Sequence, residues 1–202
     1  MVVVAAIIGI LAVIVLVSHA SFTNTVILTN TAYDVALSLR NAQSFGIGSR
    51  TIVVGAAFKN NVSYGIDISN TNGFIVYADT DGGNPACTQP NCNPGNNFYT
   101  NSDATFQTYT LNNGMKISQY CVGAIGGASV CNPVAEHISI TFTRPNTNVV
   151  FAEGAIGQGL LIPGLGAPPF NKACITIASP DGKTRAVTVN KVGQIAVLAS
   201  CP

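Results

Sequence analysis

Charge is what this sequence has least of. Of its 202 residues, 8% are Asp, Glu, Lys or Arg, against roughly 25% in an average soluble protein. The first 33 residues contain none of these four types. The formal net charge is +1, so no basic surface is expected on which a nucleic acid would be held. Tryptophan is absent and aromatics make up 7%, which disfavours stacked aromatic conduction. Acidic residues are sparse, and no pair falls at a spacing suited to glycosidase or metal chemistry. No Ser/His/Asp or Cys/His set forms around His19, in a helical stretch, or His137, at a strand start. Gly123-Ala124-Ile125-Gly126-Gly127 lies between two cysteines and is no credible phosphate cradle. These absences point away from an enzyme, and no cofactor or metal is implied. A chain this poor in charge must keep water from much of its surface or draw solubility from Asn, Thr and Ser.

Helix breakers are missing too. Neither Pro nor Gly occurs from Leu11 to Phe45. Before that lies an apolar run, Val2 to Val17, reading VVVAAIIGILAVIVLV. No Lys or Arg precedes it, and Ser18-His19-Ala20-Ser21 is only a poor cleavage site, so it does not read as a secretory signal. Its 16 residues are short for a spanning helix, which takes about 20, and long for an ordinary core helix. Beyond it, Leu28, Ala32, Val35, Leu39 and Ala42 recur at three- and four-residue steps and fall on one helical face. Asp34, Arg40 and Asn41 lie off that stripe, and Gly46 and Gly48 supply a stop. The pattern predicts one helix from near Met1 to about Phe45, roughly 68 Å long at 1.5 Å per residue. Its first half, apolar all round, needs lipid or identical helices around it. Its second half needs a globular partner on one side.

From Thr51 the period becomes strand-like. Candidate strands are Thr51–Phe58, Ser63–Ile68, Phe74–Asp79, Thr105–Leu111, Met115–Tyr120, His137–Thr143, Asn148–Glu153, Ala173–Ala178, Arg185–Asn190 and Gln194–Ala199. Several alternate apolar and polar residues, as expected of an antiparallel sheet buried on one face. Asn72-Gly73, Asn113-Gly114 and Asp181-Gly182 mark turns. The six cysteines, Cys87, Cys92, Cys121, Cys131, Cys174 and Cys201, all lie in this part. An even count read with an exported domain favours disulfides over free or metal-bound thiols. Six cysteines allow 15 pairings, among which short loops favour Cys87–Cys92, Cys121–Cys131 and Cys174–Cys201. Gly154 to Pro169 is Gly/Pro-rich and almost uncharged, and its Leu160, Leu161, Ile162 and Leu165 either cover the core or form a subunit–subunit contact or a filament-surface loop.

Met1-Val2-Val3-Val4-Ala5-Ala6-Ile7-Ile8-Gly9-Ile10-Leu11-Ala12, continuing unbroken into an amphipathic helix, resembles the N-terminal segment of type IV pilins and type II secretion pseudopilins. Cys174 to Val197, CITIASPDGKTRAVTVNKVGQIAV, and Val35 to Ser44 resemble the GspH/FimT-type branch of that family. The resemblance touches both ends of the chain and leaves about residues 80–170 unassigned. The family's mature chains carry a short stretch ending in Glu before the run; no residue here takes that role, so Met1 reads as an internal residue. About five more residues would bring the run to spanning length. Many major pilins have a Pro soon after the Gly. Ala12 to Phe22 contain none, so no kink is expected.

The resemblance implies an α+β, pilin-like fold: a long N-terminal α-helix, apolar in its first half, packed on an antiparallel β-sheet head stapled by disulfides. Residues 1–46 would form the transmembrane and filament-core helix and residues 47–202 an extracellular head. Val2, Val3, Val4, Ile7, Ile8, Gly9, Ile10, Leu11, Val13, Ile14, Val15 and Leu16 would line the filament core, and Leu28, Ala32, Val35, Leu39 and Ala42 would face the head. The implied function is that of a structural subunit in a type IV pilus-like filament at the cell surface. It would reside in inner-membrane lipid first and then be polymerised with copies of itself by pilus assembly machinery. One alternative is a minor pseudopilin of a type II secretion system. Another is a membrane-anchored extracellular binding module, which would need a flexible linker where residues 18–45 read as helix. A sharper local candidate is Asp79-Thr80-Asp81-Gly82-Gly83-Asn84, whose Asp79, Asp81 and Asn84 offer oxygens to Ca²⁺. Pro90 stands where a twelfth-position Glu would be, and a tight turn explains the same residues. Asn61-Val62-Ser63 fits a glycosylation acceptor.

Overall fold

The computed structural model describes residues 2–48, 50–54, 57–59, 62–80, 95, 97–124, 129–132, 137–143, 149–154 and 170–202, with backbone alone for 15–21, 54, 57, 70, 124, 130 and 132. A single helix, α1 (Val2–Ile47), comes first. Among the described residues twelve strands follow: β1 (Ile52–Val54), β2 (Ala57–Lys59), β3 (Ser63–Asn70), β4 (Gly73–Asp79), β5 (Ala104–Thr110), β6 (Lys116–Ala124), β7 (Ser129–Asn132), β8 (His137–Phe142), β9 (Val149–Gly154), β10 (Phe170–Ala178), β11 (Thr184–Asn190) and β12 (Ile195–Leu198).

The expected fold class needs correction. The chain is mostly antiparallel β, and its strands form two five-stranded sheets where one was expected. The first sheet runs β5-β4-β3-β8-β9 and the second β12-β11-β10-β6-β7, beside a small β1-β2 pair. The helix needs correction as well: α1 is long, but it is not apolar over the length that the expected transmembrane role would need. Among the described residues, no helix is long and apolar enough to cross a membrane. Apolar side chains fill Val2–Ile14, whereas Phe22 onward mixes in Thr23, Asn24, Thr25, Thr29, Asn30, Thr31 and Asp34. That part of the helix is amphipathic because one face must pack on the strands while the other faces away from them.

Both sheets turn their apolar faces to one core. Tyr64, Ile66 and Ile68 of β3, Val76 of β4, and Ile138, Ile140 and Phe142 of β8 meet Ile117, Tyr120, Ile175, Ile177, Val187 and Val189 of the second sheet. Period-two alternation produces this: in β3 the intervening Ser63, Gly65 and Asp67 take the opposite face. The sheets are joined at their ends by backbone bonds, Ile117 N–H to Thr71 C=O at 2.7 Å and Val149 N–H to Lys191 C=O at 2.9 Å. Inside the core the Tyr120 hydroxyl donates to Glu153 Oε1 at 3.0 Å.

Element boundaries also shift. Where the strand Thr51–Phe58 was expected, β1 and β2 pair with each other antiparallel, Ile52 opposite Lys59. β7 was not expected; it pairs with β6 in register Cys121↔Cys131. The turn at Asn113-Gly114 has φ of 57° and 71°, the left-handed pair that Asn-Gly supplies.

Candidate functional site

The helix presents three different surfaces. In its first turns, Val2, Val3, Val4, Ile7, Ile8, Ile10, Leu11, Val13 and Ile14 are between 53% and 84% exposed. They point in all directions around the axis, since 100° separates successive residues. A Cβ added at Gly9 would meet nothing within 4 Å. The head therefore supplies neither cover for this arm nor a reason for its glycine. Val15 and Leu16, expected in the same surface, have side chains outside the described residues.

The second surface is the buried stripe. Leu28, Ala32, Val35, Leu39 and Ala42 are buried, and so is Ala36. They enter the common core. Polar bonds hold the helix at both ends of this stripe. Lys183, in the β10–β11 turn, donates to Thr25 Oγ1 at 2.8 Å. Gln43 donates to the carbonyl of Gly193, in the β11–β12 turn, at 3.0 Å. Phe45 closes the end by packing edge-on against Tyr64 and Phe106, with the Arg50 guanidinium 4.7 Å from the Phe45 and Phe106 rings. Burial raises the Tyr64 phenol's pKa, and the Arg50 charge opposes that.

The third surface was missed in the sequence. Phe22, Val26, Tyr33 and Leu37 are between 42% and 69% exposed. Their spacing of four, seven and four residues puts them within one narrow sector, on the side away from the buried stripe. That spacing was the available signal.

The outer face of the first sheet is polar yet buried. Asp67 accepts from Ser139 Oγ at 2.8 Å and lies 3.2 Å from His137 Nδ1. The Tyr77 hydroxyl lies 3.1 Å from Thr141 Oγ1, and the Thr141 hydroxyl donates to the Asn97 carbonyl at 3.1 Å. Asp103 accepts from the amides of Thr80 at 2.7 Å and Thr100 at 2.8 Å. Burial, then the Asp79 charge, push the Tyr77 phenol well above its ordinary pKa. These groups bond one another and the Asn97–Asp103 segment, and they read as structural.

Of the calcium candidates, Asp79 is buried and accepts from the Asn97 amide at 2.6 Å; Asp81 and Asn84 lie outside the described residues. Among the described residues no group of three or more His, Cys, Asp or Glu side chains could hold a metal. Disulfides join Cys121 to Cys131 and Cys174 to Cys201. Cys87, Cys92, Asn61 and the leucines of 160–165 lie outside the described residues. Searches against protein-family models, characterised proteins and solved structures found no match to this chain.

Proposed function

We propose that this chain is a structural subunit that polymerises with copies of itself into an extracellular filament of the type IV pilus kind, burying the arm Val2–Ile14 between neighbours. The observation that carries this reading is the arm's exposure on every side. Burying one large apolar side chain gains about 1.5–3 kcal/mol. Nine of them left in water forgo an amount that matches or exceeds the whole net stability of a typical domain, about 5–15 kcal/mol. The arm therefore has to be covered from outside the chain. Lipid would cover it, but lipid gives Gly9 no purpose. Small residues let helix backbones approach closely, and the open space at Gly9 suits a second helix.

The test is electron microscopy of the purified full chain after detergent removal, beside a variant carrying Ile7→Asp and Leu11→Asp. Filaments are expected from the parent alone, with both proteins showing the same head spectrum. A parent that stays monomeric without detergent, or a variant that still forms fibres, would sink the proposal.

A further inference from the structure

Four cysteines form one row on the outward face of the second sheet. β7, β6 and β10 are neighbours, and their register sets Cys131 opposite Cys121 and Cys121 opposite Cys174. Cys201, beyond β12, reaches back to Cys174. The two disulfides thus lie end to end, with Cys121 and Cys174 as adjacent inner members. The Cα atoms of Cys121 and Cys131 are 3.9 Å apart, the close spacing of a non-hydrogen-bonded antiparallel pair. A residue so related to one neighbour is hydrogen-bonded to the other, at a Cα separation of about 5.5 Å. That separation lies inside the range a disulfide can bridge, about 4.4–6.8 Å. Cys121 therefore has a cysteine directly beside it on each neighbouring strand.

Access follows the same order. Cys131 is exposed and Cys201 half-buried, while Cys121 and Cys174 are buried. A groove of about 810 Å³ runs over Cys131, Cys121 and Cys201, with Lys172, Thr176 and Ser129 among its other lining residues. Lys172 is the cation in that lining, and a cation favours a departing thiolate. Thr176 Oγ1 lies 3.2 Å from Cys201 Sγ, within reach to donate to that sulfur once it is released.

We propose that this row is a thiol–disulfide relay, which captures a low-molecular-weight thiol on Cys131 and releases Cys201. The incoming thiolate attacks Cys131 Sγ. A bond forms between the two, the Cys121–Cys131 bond breaks, and Cys121 leaves as a thiolate. Cys121 then attacks Cys174 Sγ, forming Cys121–Cys174 and expelling Cys201, which takes up the proton the incoming thiol gave up. Two disulfides and one thiol stand on each side of the exchange, so no oxidant or reductant is consumed.

The test uses the full chain in detergent with Cys87→Ser and Cys92→Ser, incubated anaerobically with reduced glutathione, quenched by alkylation and mapped by non-reducing peptide mass spectrometry. The expected products are glutathione on Cys131, a Cys121–Cys174 link and an alkylated Cys201. Adding Cys174→Ala and Cys201→Ala should stop the exchange at an alkylated Cys121. Lys172→Gln should slow adduct formation about two- to fivefold. Three results would overturn the proposal: an alkylated Cys121 beside an intact Cys174–Cys201, glutathione on Cys201, or both original links surviving where the urea-unfolded chain reacts.

Discussion

Tyr77 lies on the outer face of the first sheet with its hydroxyl 3.1 Å from Thr141 Oγ1, and its phenol is held well above the ordinary value of 10.0 by burial first and the Asp79 charge second. Below about pH 10 both folded and unfolded chains carry a neutral phenol, so Tyr77 makes stability no more sensitive to pH. Above it the unfolded phenol ionises while the buried one keeps its proton, so stability falls as pH rises, by at most about 1.4 kcal/mol per pH unit. Tyr64 adds in the same direction. Urea unfolding between pH 9 and 11 should therefore give a flatter profile for Tyr77→Phe than for the parent; parallel profiles would contradict the assignment. Asp103 supports a different prediction. Its carboxylate takes the amides of Thr80 and Thr100, and Asp103→Ala leaves both without that acceptor, at about 1–3 kcal/mol for the buried Thr80 amide and less for the half-buried Thr100. An unchanged urea midpoint would refute that role. At Gly46 an added Cβ would come within 2.5 Å of the Phe142 carbonyl oxygen. Gly46→Ala should therefore lower the melting temperature by lifting the helix end off β8.

Helix α1 separates two kinds of leucine only two residues apart. Leu39 is fully buried in the core, whereas Leu37 is 56% exposed on the opposite side. Leu39→Ala should cost about 2–5 kcal/mol in the dissociated chain. Leu37→Ala should cost no more than about 0.5 kcal/mol there. Urea unfolding of the two variants reads both, and equal costs would show the two faces wrongly assigned. The buried stripe was legible because burial repeats every 3.6 residues and no Pro or Gly interrupts it. The strands were legible where β-branched residues alternate, as in Ile138 to Phe142. Their division into two sheets was not, since alternation tells which face of a strand is apolar and says nothing of which distant strand lies beside it. β7 escaped because Ser129–Asn132 is four residues with no alternation. Asp67, Ser139 and Thr141 read as water-facing by the same period-two logic, but the Asn97–Asp103 segment covers their face. The exposed arm was visible as a run without charge; the outward sector of Phe22, Val26, Tyr33 and Leu37 was overlooked because it is diluted by Thr and Asn.

At the scale of the whole molecule, the core is assembled from residue 28 of α1 onward, and the arm contributes nothing to it. A chain beginning at Phe22 should therefore fold to a monomer whose melting temperature lies within a few degrees of the dissociated full chain; failure to fold would show that the arm has a hidden part in the head. The fastening of α1 has a mechanical corollary. Thr25, the buried stripe, Gln43 and Phe45 grip the rod at successive heights along its length. A pull along the rod's axis strains all of these grips together, in shear, instead of unzipping them one at a time. Should they give way, the Cys174–Cys201 bond still closes a loop around β10, β11 and β12, capping how far that end of the head can be drawn out into a thread.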